Sequence, residues 1–405
     1  MSEGGTRIVS LDQFRGYTVA GMILVNYVGA FAVTHPVFEH HNTYFSYADT
    51  IMPGFHFAVG FALRLVLLKR IATLGKGRAY AGMVRRGLGL ILLSTVLEFA
   101  GHGAPKSWSA MTQTTLWGAF AGPLKNEFWE TLAIIGVTSI WVLPVIAGSA
   151  RRRLLFASGC LAVHVLLAHL FYFHFLNRQP NWLDRFWGAA DVRGLDGGPF
   201  GFLAWSLPQI AGSLAYDWVA SRRTAATFVR LLLWALSFMA AGYLLSILSL
   251  SYPRTPEPTT HEEAIAVAAS PVLPPPRSAG NTERLPALPF VQPAAADQRQ
   301  LNYWLMDKRV VTLPFNLFST GFALAVYACF FLVSDLGGRQ IGFLRTLGQN
   351  ALAAYILHEL VARAVQAFAP ADSPLWWVAA TFTLYVGITY LFVRHLEKNG
   401  VYLRM

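Results

Sequence analysis

Residues 154–175 read LLFASGCLAVHVLLAHLFYFHF, twenty-two positions without one Asp, Glu, Lys or Arg, directly after Arg151-Arg152-Arg153. As an α-helix at about 1.5 Å per residue the run is about 33 Å long, enough to cross the hydrocarbon core of a bilayer. A helix satisfies all its backbone donors and acceptors within one segment, so the run predicts a membrane span. Nine further runs share this character, near 14–33, 51–69, 86–101, 129–148, 201–220, 230–250, 313–334, 346–367 and 374–393. The 405 residues as a whole agree, being 55% hydrophobic and only 13% charged, with a mean hydropathy of +0.44. Soluble domains carry about a quarter charged residues. The predicted fold class is an all-α polytopic membrane protein, about ten transmembrane helices in one bundle, forming a single domain over 1–405.

An even number of spans puts both termini on one side. With the amino terminus in the cytoplasm, the inner loops collect nineteen of the thirty-two Lys and Arg residues, among them Arg7, Arg15, Lys69, Arg70, Arg85, Arg86 and Arg151 to Arg153. This is the positive-inside pattern. The net charge of +11 is therefore mostly topology, and no block of like charges suggests a nucleic-acid partner. Two cysteines, Cys160 and Cys329, exclude a disulfide framework and a cysteine zinc cluster. Arg7 followed by an apolar stretch ending Ala30-Phe31-Ala32 imitates a cleaved signal peptide, but Asp12 and Arg15 at the head of that stretch argue for a retained first span. Residues 251–312 are rich in Pro and Ala and lack an apolar period, which predicts a poorly ordered outer loop. The semi-polar segment 102–128, with Trp108 and Trp117, is expected along the interface.

Polar groups inside spans cost free energy and mark candidate sites. Asp12 and Arg15 open the first span, where Asp12 can cap the helix and pair with Arg15, or Arg15 can hold an anion arriving from the cytoplasm together with Arg85, Arg86 and Arg151 to Arg153. Asn26 lies eleven residues further on, about 16 Å deeper. Its amide suits an oxyanion or an acyl carbonyl, or serves as interhelix glue. The next outer loop brings His40, His41 and Asn42, then Asp49, a pattern open to metal ligation, to a base with its orienting carboxylate, or to loop residues without chemistry. Glu130 opens the fourth span and Asn316 the eighth. His56 lies in the outer part of the second span, and Asn350 and His358 are near one face of the ninth. Depth estimates bring Asn26, His40, His56 and His358 to the outer half, which predicts a polar pocket there.

The runs RIVSLDQFRGYTVAGMILVN (7–26), HHNTYFSYADTIMPGFHFAVG (40–60) and LGQNALAAYILHEL (347–360) resemble the heparan-α-glucosaminide N-acetyltransferase family of transmembrane acyltransferases. The first is the most specific, since Asp12, Phe14-Arg15-Gly16 and Asn26 repeat the family's spacing. In the second, Asp49 and Pro53 match, but the family's Trp-Asn-Gly after its histidine is missing, and His40 is favoured over His41 as the counterpart. The resemblance implies acetyl transfer from cytoplasmic acetyl-CoA to an amino sugar or glycan on the opposite face. It implies His40 as base, Asn26 at the thioester carbonyl and Asp49 orienting the imidazole. Asp12, Arg15, Arg85, Arg86 and Asn350 fall to the cofactor, and His41, Asn42, His56, Glu130, Asn316 and His358 to the acceptor. No metal is implied, membrane lipid surrounds the chain, and a homodimer in a bacterial inner membrane is expected. The alternative reading is a transporter or carrier of a sugar or lipid-linked substrate without covalent chemistry.

Overall fold

The computed structural model describes residues 7–99, 107–113, 115–254, 266–277, 284–293 and 299–403. Among these the chain is helical, with no strand beyond two isolated bridges. Helices of sixteen or more residues are α1 Val9–Val28, α2 Ile51–Leu74, α3 Lys76–Ser94, α4 Thr131–Ile146, α5 Ala150–Leu167, α6 Gly201–Ser221, α7 Ala225–Leu245, α8 Leu313–Phe330, α9 Ala351–Gln366 and α10 Leu375–Lys398. Six helical stretches are long and apolar enough to cross a membrane: Ala48–Leu74, Lys76–Leu97, Ala150–Leu176, Ala225–Ser251, Leu313–Leu336 and Leu375–Lys398. They contain α2, α3, α5, α7, α8 and α10. The other four helices also coincide with expected runs but fall short of that standard. α4 has only sixteen residues, and α1 carries Asp12 and Arg15. The run 346–367 is broken at Asn350 into Gly342–Gln349 and α9. Residues 100–101, at the end of the expected third run, and Arg404 lie outside the described residues.

Several helix pairs meet backbone to backbone at facing glycines. A methyl group at Gly60 of α2 would lie 1.9 Å from the Gln209 carbonyl oxygen of α6, and one at Gly212 of α6 2.0 Å from the Phe57 carbonyl oxygen of α2. Gly16 and Gly348 join α1 to the Gly342–Gln349 helix in the same way, and Gly242 and Gly321 join α7 to α8. Lipid tails are as apolar as leucine, so helices in a membrane gain by close packing more than by burial, and small residues make that approach. Arg64, inside the second span, is neutralised where α2, α5 and α6 meet. Its Nε donates to Asp217 Oδ1 at 2.5 Å, and Arg153 donates to the other Asp217 oxygen and to Ser213 Oγ at 2.7 Å.

The described stretches of 251–312 differ from the expected poorly ordered loop. Ala268 and Leu301 pair through a backbone bond of 2.9 Å, and Tyr303 N donates to the Pro271 carbonyl at 3.0 Å. Val272, Leu301, Tyr303, Leu305 and Val310 join Tyr172, Phe173, Phe175 and Leu176 in one apolar cluster, and Tyr303 Oη meets His164 Nδ1 at 2.9 Å. These five loop side chains are buried against the extension of α5, whereas Leu273, Leu285, Leu288 and Val291 of the same stretch are exposed. The 102–128 segment is helical in its described parts, over Trp108–Gln113 and Leu116–Lys125, with both tryptophans exposed.

Candidate active site

α1 begins, and α2 ends, at the end of the molecule that carries Arg15 and Arg70. The opposite end is built by the last turn of α1, the loop into α2, the first turn of α4, the end of α9 and two further loops. These enclose a cavity of about 460 Å3 lined by Asn26, His40, Glu130, Asp196, Lys308 and His358, among others. Four of these six were legible as polar positions in the sequence.

The His40 side chain is set by Asp49. The 3-10 turn Ala48–Thr50 feeds α2 and turns the Asp49 carboxylate back on its own loop, where Oδ2 accepts from Ser46 N at 3.1 Å and Ser46 Oγ at 2.9 Å. Fully buried, its remaining oxygen meets His40 Nδ1 at 2.8 Å. A carboxylate only accepts, so Nδ1 carries the proton and Nε2 keeps its lone pair. Among the described residues Nε2 has no partner, and the His40 side chain is 51% exposed. This is the arrangement of a general base with its orienting carboxylate.

Asn26 and His358 form a second unit. His358 Nδ1 contacts the Tyr355 carbonyl, which again fixes the proton on Nδ1, and Asn26 Nδ2 donates to Nε2 at 3.3 Å. The second Nδ2 hydrogen and the amide oxygen of Asn26 have no other partner among the described residues, and the side chain is exposed to the cavity. An amide hydrogen held there can donate to a carbonyl oxygen, and more strongly to an oxyanion.

Lys308 and Asp196 were not foreseen. Lys308 Nζ lies 2.7 Å from Asp196 Oδ1, with both side chains largely buried. Burial alone would lower the ammonium's pKa, but Asp196, and beyond it Asp49 and Glu130, outweigh this and hold it above the ordinary lysine value. The neighbouring Asp307 carboxyl is pushed up to about 6 by burial. The clasp is built from two turns in unusual backbone: Asp196 has φ +47° and Val311 φ +57°, costly for residues with a Cβ and above all for a β-branched one. Gly197 N donates to the Arg309 carbonyl at 2.8 Å across the two turns. The only sequence signal was a cluster of charges, Asp307-Lys308-Arg309, on the outer side just ahead of an apolar run.

Other expected residues lie elsewhere. His41 Nε2 donates to the Pro36 carbonyl at 2.7 Å, and the ring stacks on Tyr44 with centroids 4.3 Å apart. Asn42 does not line this cavity. His56 is fully buried, stacked on Trp205 at 4.6 Å and bonded to Gln209 Nε2 at 3.2 Å. Asn316 ties α8 to α6 by donating to the Ala204 carbonyl at 2.5 Å. Asn350 fastens the carboxyl-terminal segment, donating to the Val401 carbonyl at 2.9 Å and accepting from Leu403 N at 3.1 Å. For Asn316 and Asn350 these are packing roles, in which a polar group in a span finds protein partners; His56 Nε2 has no hydrogen-bond partner among the described residues.

At the other end a cavity of about 510 Å3 is lined by Arg70, Arg85 and Arg86, with Leu92, Leu93 and Val96 along its apolar side. Arg15 lies within electrostatic reach of Arg86. Among the described residues these three lining arginines have no carboxylate partner, whereas Asp12 is engaged by Arg7 Nε at 2.6 Å. Three unpaired guanidinium groups beside an apolar wall suit an amphiphilic phosphate. No group of His, Cys, Asp and Glu among the described residues is arranged to hold a metal ion. No protein-family model matches the chain, and no curated protein matches it.

Proposed function

We propose that the protein is a ten-span membrane acetyltransferase of the kind its sequence resembles, moving an acetyl group from cytoplasmic acetyl-CoA to an amino sugar or glycan on the opposite face. The observation that carries this reading is the single cavity in which the His40–Asp49 pair and the Asn26–His358 pair converge. Supporting it, the basic cavity with Arg70, Arg85 and Arg86 lies at the opposite end of the molecule. From Arg15 to Asn26 α1 rises about 16 Å, a separation suited to phosphates at one end and a thioester at the other.

In this reading the acceptor nitrogen attacks the thioester carbonyl carbon and His40 Nε2 takes the proton the nitrogen sheds. Asn26 Nδ2 donates to the carbonyl oxygen as it gains charge, an interaction commonly worth about 3 kcal/mol. The C–S bond then breaks and CoA leaves as its thiol once protonated. The charge of the cavity favours an amine over an acidic acceptor: Glu130, Asp196 and Glu359 stand against Lys308 and Arg363, and Asp49 adds a further carboxylate behind His40. Bacterial inner-membrane residence and a homodimer are the setting the resemblance suggests.

The test is CoA thiol release by purified protein in detergent, given acetyl-CoA and a panel of amino sugars. Release that requires an acceptor, is lost in His40→Ala and persists in His41→Ala supports the assignment. Loss in His41→Ala with activity in His40→Ala moves the base by one residue. Flux of a sugar across vesicles without thioester consumption establishes the carrier instead.

A further inference from the structure

The groove of about 510 Å3 that holds Arg70, Arg85 and Arg86 is open on one side. Its lining residues Gly82, Arg85, Arg86, Gly89, Leu92 and Val96 recur every three or four positions along α3 and the wider turns Thr95–Phe99 that continue it. They therefore form a single stripe of one helix face. Of the six long apolar spans, the one containing α3 is the least enclosed, with 17% of its apolar window buried. Within the groove Leu92 is 65% and Val96 61% exposed. Aliphatic surface exposed along a span meets lipid tails, which are equally apolar. Arg86 and Val96 are about 15 Å apart along the helix axis, the depth of one leaflet in a hydrocarbon core about 30 Å thick.

The charges at the other end of the stripe call for an anion. Arg86 lies within electrostatic reach of both Arg15 and Arg70. A methyl group at Gly82 would lie 2.7 Å from Arg70 Nη1, so the missing side chain is what lets that guanidinium lie over α3. Like charges gathered in this way repel unless an anion joins them. The carboxylates described at this end are engaged elsewhere: Asp12 accepts from Arg7, Asp217 from Arg64 and Arg153, Asp335 from Val9 N and Ser10, and Glu397 from Arg345 and Arg394. A second copy of the chain would bring the same engaged carboxylates and the same basic rim, so the anion comes from outside the protein. A phospholipid of net negative charge fits both halves of the groove, with phosphate oxygens on the guanidinium groups and an acyl chain on the aliphatic stripe. A water-soluble phosphate ligand matches the arginines but gains little from a wall that already faces lipid.

Independently of the acetyltransferase reading, we propose that this groove is a site for an anionic phospholipid, its phosphate held by Arg70, Arg85 and Arg86 and one acyl chain lying along Leu92 and Val96. Joined to that reading, the lipid and the CoA phosphates contend for the same guanidinium groups, and the anionic lipid content of the membrane sets how readily acetyl-CoA enters.

The experiment places the full chain in nanodiscs of equal parts phosphatidylcholine and phosphatidylglycerol, and counts by native mass spectrometry the lipids that stay bound on release. The native protein is expected to retain phosphatidylglycerol about tenfold over phosphatidylcholine, because the arginines meet a headgroup of net negative charge. Arg85→Gln with Arg86→Gln should reduce that excess to about twofold or less. Arg222→Gln with Arg230→Gln removes equal charge from exposed positions at the same end and should leave the excess as it was. Leu92→Trp fills the groove from an exposed position without changing charge, and should lower the retained phosphatidylglycerol about fivefold. Equal retention of the two lipids, an excess that falls alike in both arginine pairs, or one that survives Leu92→Trp overturns the site. Added acetyl-CoA separates the two sources of phosphate. Phosphatidylglycerol released by it supports a shared site, whereas phosphatidylglycerol that stays bound sustains the lipid site and takes the groove out of the path of acetyl-CoA. Acetyl-CoA retained with no excess of phosphatidylglycerol assigns the arginines to the soluble ligand and overturns the lipid site.

Discussion

Asp49→Asn isolates the tautomer of His40 with almost no change of shape. Ser46 presents two donors to Asp49 Oδ2, its N–H at 3.1 Å and its hydroxyl at 2.9 Å, so the amide of the variant must turn its oxygen to Ser46 and its NH2 to His40. Facing a donor, His40 Nδ1 must accept, and the proton moves to Nε2, where the base is needed. To act at all, the imidazole must return its proton to Nδ1 and give up the charge-assisted bond that Asp49 supplies, at a cost of about 3 kcal/mol. At about 1.36 kcal/mol per factor of ten that is a loss of about a hundredfold in kcat. The KM for acetyl-CoA should hold, because the arginine cavity lies at the other end of α1. The assay is CoA release at saturating acetyl-CoA and glucosamine, with the melting temperature measured alongside. Activity within threefold of native in a folded Asp49→Asn protein refutes the role of His40 as base, as does a loss confined to KM.

Three other perturbations test the framework. Gly60→Ala sets a methyl group 1.9 Å from the Gln209 carbonyl oxygen; α2 and α6 must part, and the melting temperature in detergent should fall by an amount equivalent to about 1–3 kcal/mol or more. Lys308→Met leaves Asp196 buried without its 2.7 Å partner and should cost about 3–5 kcal/mol; Asp196→Asn in the same chain should recover part of it, and a merely additive double variant argues against the pair. Asp307 ionises near 6 in the folded chain against 3.8 as an ordinary aspartate. Folding therefore favours its protonated form, and the stability this residue withholds at pH 7 returns as pH falls from about 6 towards 4. Asp307→Asn should accordingly raise the melting temperature at pH 7 and lose that advantage near pH 4.

The helices were legible because apolar runs of span length have few alternatives, and the runs at 14–33, 51–69 and 313–334 each fall on one. Helix pairing was not legible: Gly60 and Gly212 are unremarkable alone and acquire meaning only when each is found against the other's backbone. The site shows the same division. Asn26, His40 and His358 stood out as polar groups in or beside apolar segments, but so did His56, Asn316 and Asn350. The requirement that a buried amide or imidazole be satisfied says nothing about whether its partner is a ligand or protein. Trp205 and Gln209 take His56, and the Ala204 carbonyl takes Asn316. Lys308 was hidden for the opposite reason. It sits after a proline-rich stretch that resembles solvated sequence, and its carboxylate partner is more than a hundred residues away.

The proposed reaction also fixes where protons must go. An ammonium acceptor and acetyl-CoA yield an amide, the CoA thiol and one proton. The acceptor sheds one proton before it can attack and a second as the amide forms, and the departing thiolate regains one of the two. The acidic surplus of the outer cavity attracts the ammonium but also stabilises it, so binding and nucleophilicity oppose each other there. A base that accepted the proton and then kept it would stall the next turnover. His40 avoids this by its position: Nδ1 is anchored on fully buried Asp49 while the side chain is 51% exposed. The same Nε2 that takes the proton can therefore release it to solvent once the product has left. His358, 5% exposed and committed to Asn26 and the Tyr355 carbonyl, has no such outlet. Of the two histidines in the cavity, burial therefore assigns proton transfer to His40 and the positioning of Asn26 to His358.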